Sequence, residues 1–344
     1  MSNARKLADN LPTDGQLSNR NVLINGAMNI FQRASSVTGV GSSGGYFSAD
    51  RVKVSIFGTT AGRVTMAQNN DAPSGFNNSL SLSCTTTDTT LATGEGFVLR
   101  HVIEGQDLQR FAKGTSDAKE FTVSFYVKGN AAATYVCELY DSDNGRQVSK
   151  TFSVTTSWTR VVLTFPADTT GAFADDNGIS LYLSIWLHAG SNFTSGTLNS
   201  TSWAANTNAN RAVGIDSFFD STNRTFFITG LQMEVGSQAT PFEHEPVGVT
   251  LNKCLRYFFK STSASNKPYH YATQYQTTHR FFYHWYNVPM RATPSVTFTY
   301  TNQAASSAPT EYHANQYHWK AYVTASYTSN NSARIQEFSA DAEI

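Results

Sequence analysis

Four side chains that could contact a sugar stand at alternating positions in two strand-like segments. Tyr126 lies in residues 120–128, and Tyr182, Trp186 and His188 lie in residues 179–188. Because side chains alternate across a strand, these four face away from their apolar neighbours. Aromatic rings offer a π face to sugar C–H groups, and nearby Ser and Thr hydroxyls can bond sugar oxygens. The four residues are therefore glycan-binding candidates, unless loops or a neighbouring domain cover them.

Two short motifs resemble functional signatures but are better explained as turns. Residues 41–45 match the Gly-x-Ser-x-Gly pattern of a catalytic serine, but a strand-like segment, 46–57, follows instead of the required helix. Residues 141–145 (Asp-Ser-Asp-Asn-Gly) resemble the start of a calcium loop, whose twelfth position should be acidic and here is Phe152. We expect a flexible loop at the first motif and a hairpin turn at the second.

The remaining titratable residues show no catalytic or metal-binding spacing. The eight histidines form neither His-x-x-x-His nor His-Glu-x-x-His. Carboxylate pairs, which could hydrolyse glycosidic bonds, all stand in turn-like sequence: Asp141/Asp143, Asp175/Asp176 and Glu243/Glu245. The three cysteines, Cys84, Cys137 and Cys254, are too scattered for a metal site or a disulfide framework, so we expect buried thiols. The sequence predicts a protein that is not an enzyme.

Composition excludes two classes of partner. Lys+Arg and Asp+Glu number 25 each, and charged residues make up only 15% of the chain. Without a basic cluster the chain lacks the electrostatic footprint of a nucleic-acid binder. No apolar run approaches the roughly 18 residues of a spanning helix, so we expect no membrane insertion.

Alternating apolar and polar residues predict an all-β protein. The clearest strands are expected at 120–128, 134–140, 158–165, 179–188 and 225–235, with one short helix near 104–112. Many strands joined by polar turns favour an N-terminal jelly-roll β-sandwich over residues 21–246. Breaker residues in 236–248 mark a domain boundary.

Residues 250–344 predict a smaller C-terminal β domain. Eleven of the 16 tyrosines lie there, more than so small a core can bury, so some must face solvent, a ligand or another subunit. Strands are expected at 256–261, 269–276, 280–287, 295–300, 319–327 and 335–342. Residues 1–20 are too short to fold alone and are either a disordered tail or an attachment segment.

Several segments resemble tail-fibre proteins of tailed bacteriophages, especially those of marine and cyanobacterial phages. The match runs in order from residue 19 to residue 344, and its most specific parts are Asn-Gly-Ala-Met at 25–28 and Thr-Pro-Phe-Glu at 240–243. The matching segments are 19–33, 46–52, 227–243, 254–258, 290–296 and 340–344. The resemblance implies a jelly roll like a carbohydrate-binding module, followed by a fibre tip.

That resemblance also implies partners and a cofactor. It implies a homotrimeric virion fibre, on the tail or the head, that is assembled in the host cytoplasm. Residues 1–20 would attach it to other virion proteins, and its β domains would recognise host surface polysaccharide or lipopolysaccharide. Modules of this kind often hold a structural Ca²⁺, for which Asp50 and Glu234 in the matched segments are candidate ligands. No other cofactor is expected.

Two alternatives to a receptor-binding fibre remain open. The chain could be a decoration or connector protein of the virion that binds no ligand. It could also be a depolymerase that cuts surface polysaccharide, although no internal repeat of the kind found in long β-helical enzymes is apparent.

Overall fold

The computed structural model describes residues 17–261, 270–271, 273–274, 279–301, 308–324 and 334–344. The chain divides into two compact units, one comprising Met1–Val247 with Ile344 and the other Gly248–Glu343. The division lies at the C-terminal edge of the breaker-rich segment 236–248.

The described part of the first unit forms two antiparallel sheets, which face each other as a β-sandwich of the jelly-roll type. The six-strand sheet has the order β1 (Ser36–Val40), β4 (Arg63–Asn69), β5 (Ser79–Thr86), β13 (Thr225–Val235), β7 (Phe121–Gly129), β10 (Thr159–Phe165). The seven-strand sheet has the order β12 (Ala204–Ala205), β9 (Arg146–Val154), β8 (Ala133–Asp141), β11 (Ile179–Ala189), β6 (Gly96–Glu104), β3 (Lys53–Phe57), β2 (Gly45–Tyr46). The prediction of an all-β jelly roll is confirmed.

Period-two alternation places the core between these sheets. Leu181, Leu183 and Ile185 of β11 are buried against the apolar face of the other sheet, which includes Phe121 and Phe125 of β7. Full burial of each such side chain contributes about 1.5–3 kcal/mol. The five strands predicted within residues 120–235 all form, with bounds that shift by one or two residues at most.

The short motifs adopt the turns expected of them. Residues 41–44 connect β1 to β2, Gly45 begins β2, and a strand rather than a helix follows the motif. Residues 142–145 join β8 to β9 as a hairpin, with Asp141 paired to Arg146. The Asp141 carboxylate accepts the backbone N–H groups of Asp143 and Asn144 and lies 2.6 Å from the Lys113 ammonium. A lysine therefore supplies the positive charge that a calcium ion would otherwise bring to this loop.

Helical segments in the described part of the first unit are short. The helix predicted near 104–112 is two consecutive 3₁₀ turns, Gly105–Asp107 and Gln109–Phe111. A four-residue α-helix, α1 (Ser191–Thr194), and a 3₁₀ turn, Asn208–Asn210, lie in the connection between β11 and β13. No helix among the described residues is long and apolar enough to cross a membrane.

The second unit begins with an α-helix and continues as two sheets. The helix α2 (Val247–Leu255) was not predicted, because its Val-Gly-Val-Thr start has low helix propensity; it buries Thr250 and Cys254, one turn apart. In the described residues one four-stranded sheet contains β14 (Phe258–Lys260), β21 (Arg334–Asp341), β15 (His270–Tyr271) and β18 (Ser295–Thr301). The other has the order β16 (Thr273–Gln274), β17 (His279–Trp285), β20 (His318–Thr324), β19 (Thr310–Ala314). The smaller β domain is confirmed.

Some predictions fall partly outside the described residues. The strand expected at 269–276 appears as the two short strands β15 and β16, with residues 269, 272, 275 and 276 not described. Of the expected attachment segment, only residues 17–20 are described. All three cysteines are described and are buried as reduced thiols, as predicted.

His101 is buried in β6 with its ring held neutral. The backbone N–H of Ile24 donates to its Nε2 at 3.2 Å. Burial lowers the pKa of His101 well below its ordinary value of 6.5, and the positive charge of Arg51 lowers it further. Unfolding therefore exposes a group that binds a proton more readily than it does in the folded protein.

We expect acid to destabilise the first unit below about pH 6.5, where the unfolded His101 begins to take up a proton. The limiting slope is about 1.4 kcal/mol of unfolding free energy per pH unit for each such histidine. Urea unfolding at several pH values from 5 to 8 measures how the unfolding free energy depends on pH. The slope should be smaller in a His101→Gln variant and unchanged in His313→Gln, an exposed histidine; equal slopes in wild type and His101→Gln would contradict this role.

Candidate functional site

The outer face of the seven-strand sheet carries the largest concentration of the predicted site residues. Tyr182, Ser184 and Trp186 of β11 point away from the core, as the alternation predicted. Tyr182 is half-buried, however, whereas Trp186 is fully buried. The prediction that Trp186 is available to a glycan is therefore wrong, although the face it points to is the predicted one.

Trp186 is buried because the chain after β11 folds back over it. Its indole stacks on Phe57 with ring centroids 5.3 Å apart and packs against Phe193 of α1 at 5.1 Å. The Arg211 guanidinium lies 5.0 Å from the Trp186 ring. Trp186, Phe57 and Phe193 belong to a small apolar cluster on the outside of the sheet, separate from the main core.

A buried ion pair holds this covering segment in place. The Nε and an Nη atom of Arg211 donate to the two Glu138 carboxylate oxygens at 2.7 and 2.8 Å. The Trp186 indole N–H donates to the same carboxylate at 3.0 Å. Glu138 is fully buried and Arg211 is only 5% exposed, so the pair depends on this bidentate geometry to offset the loss of water.

Simple alternation also predicts the wrong facing for the His188 side chain. A β-bulge after Trp186 makes Leu187 an extra residue, so that His188 lies opposite Phe97, a core residue of β6. The His188 ring packs edge-on against Phe219 at 5.1 Å and is fully buried. His188 therefore faces the core side and cannot contact a glycan on the outer face.

Beyond this covered region, the outer face presents a pair of partly exposed tyrosines. Tyr140 of β8 lies directly opposite Tyr182 of β11, and both are half-buried, with ring centroids 5.9 Å apart. A guanidinium lies near each ring, Arg211 at 5.0 Å from Tyr140 and Arg100 at 4.8 Å from Tyr182. We call Tyr140, Tyr182 and Arg100 the tyrosine strip.

Polar groups flank the tyrosine strip on both neighbouring strands. Arg100 of β6 donates from Nε to the Ser184 hydroxyl at 3.2 Å. Burial lowers the pKa of Arg100, although a guanidinium remains charged at neutral pH. On β9, the Ser149 hydroxyl and the Gln147 side-chain oxygen are buried without a protein hydrogen-bond partner. Because those two atoms are inaccessible, the two tyrosine rings and the Arg100 cation alone form the surface suited to a polar, ring-shaped ligand.

Tyr126 lies on the other sheet. It belongs to β7, in the six-strand sheet, and packs on that sheet's outer face against Phe76, which in turn contacts Phe242 and His244. Gly230, with φ +63°, allows this packing, because a Cβ there would lie 2.8 Å from Phe76 and 2.9 Å from Tyr126. Tyr126 and Tyr182 therefore do not form one platform.

Sequence reasoning missed two of the three residues in the tyrosine strip. Tyr140 is outward-facing by the same alternation that places Tyr135, Cys137 and Leu139 inward, so a signal for it was present. Arg100 had no such signal, because β6 is apolar on both faces along much of its length.

The two predicted calcium ligands are bonded to protein groups. Asp50 accepts the backbone N–H of Gln32 at 2.9 Å and its side-chain amide, and burial raises the pKa of Asp50. Glu234 accepts bonds from Gln232 and from the backbone and hydroxyl of Thr240. The structure does not group these two carboxylates with other ligand atoms among the described residues. Calcium binding stays a prediction, and an ion would have to displace these donors.

Members of the carboxylate pairs considered for glycosidic hydrolysis accept hydrogen bonds from backbone N–H groups. Asp143 accepts the backbone N–H of Ala174 at 2.9 Å, and Asp176 accepts that of Gly178 at 2.8 Å. Glu243 accepts the backbone N–H groups of Asn19 and Asn21. These bonds give the carboxylates a structural role.

No protein-family model matches the chain, and no curated protein matches it. Solved structures with limited similarity include a family 30 carbohydrate-binding module, at 10% identity and a TM-score of 0.33 over 68% of this chain and 97% of that one. A family 11 module from Clostridium thermocellum, in complex with a mixed-linked tetrasaccharide, has 10% identity and a TM-score of 0.28 over 61% and 99%.

The enzymatically active domain of bacteriophage CBA120 tailspike protein 4 has 13% identity and a TM-score of 0.31. The match covers 62% of this chain but only 21% of that one. Similarities at this level do not transfer a ligand or an activity to the present chain.

Replacing Arg211 by Met should destabilise the first unit by about 3–5 kcal/mol, because it leaves the Glu138 charge buried and unpaired. Urea unfolding measures the loss. The matched control is Lys128→Met, which removes a surface pair with Asp71 and should cost at most about 1 kcal/mol. A Glu138→Gln/Arg211→Met double variant should recover part of the loss. Equal effects of Arg211→Met and Lys128→Met would contradict the anchoring role.

Proposed function

We propose that this chain is a non-catalytic fibre protein of a bacteriophage virion that binds a host surface glycan through the tyrosine strip. The observation that carries the proposal is the half-buried Tyr140–Tyr182 pair, with Arg100 beside it, on the outer face of the seven-strand sheet. The virion assignment is supported by the segments that resemble tail-fibre proteins. The ligand class is bacterial surface polysaccharide or lipopolysaccharide.

The chemistry of the strip suits a sugar chain that lies across the strands. Sugar C–H faces would pack on the two rings, which already have fixed positions and so lose little freedom on binding. The Arg100 guanidinium could bond sugar hydroxyls or a sugar carboxylate through parallel N–H groups. Because Arg100 is partly buried, ligand oxygens at this position would replace hydrogen bonds to water that its guanidinium gives up on folding.

The second unit supports the proposal of a homotrimer. Exposed aromatic side chains lie on its β17–β20–β19 sheet and in the turn before β20, including Trp285 at 68%, Tyr312 at 63% and Tyr317 at 55% exposed. The Lys320 ammonium lies 4.1 Å from the Phe281 ring and 4.7 Å from the Tyr312 ring. An obligate interface between subunits would bury such a surface, and three linked glycan sites would raise a weak single-site affinity.

We assign attachment to the particle to residues 1–20. This segment would bind other virion proteins in the tail or the head fibre. Assembly would take place in the host cytoplasm. Deletion of this segment should abolish incorporation into virions without changing glycan binding by the purified protein.

The glycan site is tested by binding of the purified protein to a panel of bacterial surface polysaccharides and lipopolysaccharides. Tyr140→Ala and Tyr182→Ala should each weaken binding at least about tenfold, because truncation removes a stacking ring. Tyr182→Phe should retain most of the affinity. The control is Tyr126→Ala, which removes a comparable half-buried ring from the opposite sheet and should leave affinity unchanged.

Three outcomes would contradict the proposal. Unchanged binding by folded Tyr140→Ala and Tyr182→Ala would exclude the tyrosine strip. Virions that lack the protein and still adsorb normally would favour a decoration protein. Release of reducing ends from a bound polysaccharide would make the protein a depolymerase.

Light scattering tests the trimer. We expect a mass of about three times 37.7 kDa, with and without residues 1–20, because the β domains assemble the fibre. Trp285→Ser combined with Tyr312→Ser should shift the protein toward monomer. Val162→Ser, at an exposed apolar position of the first unit, is the matched control. A wild-type monomer would contradict the trimer and would make the aromatic surface of the second unit a candidate ligand surface.

A further inference from the structure

Three side chains that can bind a metal converge at one end of the β-sandwich, apart from the tyrosine strip. Asp88 follows β5, Glu95 precedes β6 and His188 lies near the end of β11, so long-range strand pairing brings them together. One ligand-capable atom from each lies within 4.8 Å of the other two. All three residues are buried, with exposures of 6%, 5% and 0%.

The His188 ring presents an unused nitrogen to the two carboxylates. Its Nε2 is buried without a hydrogen-bond partner and lies 3.9 Å from a Glu95 carboxylate oxygen. A buried polar atom left unpaired costs free energy that a bound ion would recover. Imidazole nitrogens bind metals through the lone pair of the neutral ring, and the unpaired Nε2 offers one.

The surroundings fix the three groups as a metal site requires. The His188 Nδ1 lies 2.8 Å from the Ser217 hydroxyl, which accepts the backbone N–H of Phe219 at 3.1 Å. This is the outer contact that orients a metal-binding histidine and directs its other nitrogen to the ion. Asp88 is held by the Thr60 hydroxyl and the Ala61 N–H, each at 2.7 Å, and Glu95 by the Ala92 N–H at 2.9 Å.

We propose that Asp88, Glu95 and His188 bind one divalent transition-metal ion of the Zn²⁺ type, which ties three segments of the first unit together. One imidazole and two carboxylates are ligands that Zn²⁺ accepts, and water can complete a tetrahedral set. Bond lengths of about 2.0–2.2 Å place neighbouring ligand atoms roughly 3.3–3.6 Å apart. The 3.9 Å separation of His188 and Glu95 therefore has to close by about half an ångström, and the widest separation in the group, at most 4.8 Å, by at most about 1.5 Å. Ca²⁺ would be disfavoured, because it prefers an all-oxygen shell.

The test uses the full chain, stripped with a chelator and then given Zn²⁺ or Co²⁺. After desalting, elemental analysis should find one Zn²⁺ per chain, and Co²⁺ should give visible d–d absorption bands. Zn²⁺ at 100 times its Kd should raise the Tm by roughly 5–10 °C. Glu95→Gln, which keeps the size of the side chain, and His188→Gln should abolish the bands. Ser217→Ala should weaken binding about 10–100-fold, since it removes only the orienting contact.

The control variant is His313→Gln, which removes an exposed histidine near His318 and should leave stoichiometry and Tm shift unchanged. Less than one ion per wild-type chain would overturn the proposal. So would binding that survives in Glu95→Gln or disappears in His313→Gln. Because the wild-type stoichiometry and the Glu95→Gln spectrum are decisive, the test does not depend on the folding of His188→Gln.

Discussion

The buried ion pair between Glu138 and Arg211 decides which part of the outer sheet face is open. Glu138 stands in the middle of β8, where a single charge without a partner would be costly. Arg211 satisfies it from the connection after β11, and this brings α1 and Phe193 down over Trp186. The same guanidinium ends beside Tyr140, at the point where the cover stops. One interaction thus closes the Trp186 end of the face and leaves the tyrosine end accessible.

Strand register determines what that accessible end contains. Tyr140 and Tyr182 meet because β8 and β11 pair them directly, and Ser184 meets Arg100 because β11 and β6 pair those residues. Further along β11 the bulge at Leu187 reverses the facing of His188 and carries it to Asp88 and Glu95. A single strand therefore contributes to two separate constellations, the tyrosine strip on the outer face and the proposed metal site at the end of the sandwich.

Local patterns in the sequence predicted much of the fold and only part of the site. Alternation predicted the two faces of β11 as far as Trp186, and the Asp-Ser-Asp-Asn-Gly turn predicted the β8–β9 hairpin. The burial of Trp186 could not be predicted, because the residue that covers it, Arg211, is 25 positions away in the chain and its partner Glu138 is 73 positions from it. The bulge that turns His188 inward likewise depends on pairing with β6. Sequence spacing cannot predict that Asp88, Glu95 and His188 lie close together, because only the folded β-sandwich brings their side chains to one place.

The tyrosine strip is tested most directly by a crystal structure of the protein with an oligosaccharide fragment of a polysaccharide that it binds. We expect sugar rings packed on Tyr140 and Tyr182, with sugar oxygens bonded to Arg100, and Trp186 still covered by Arg211 and Phe193. A glycan bound instead at the Tyr126–Phe76 cluster of the other sheet, or on the aromatic surface around Trp285 and Tyr312, would contradict it.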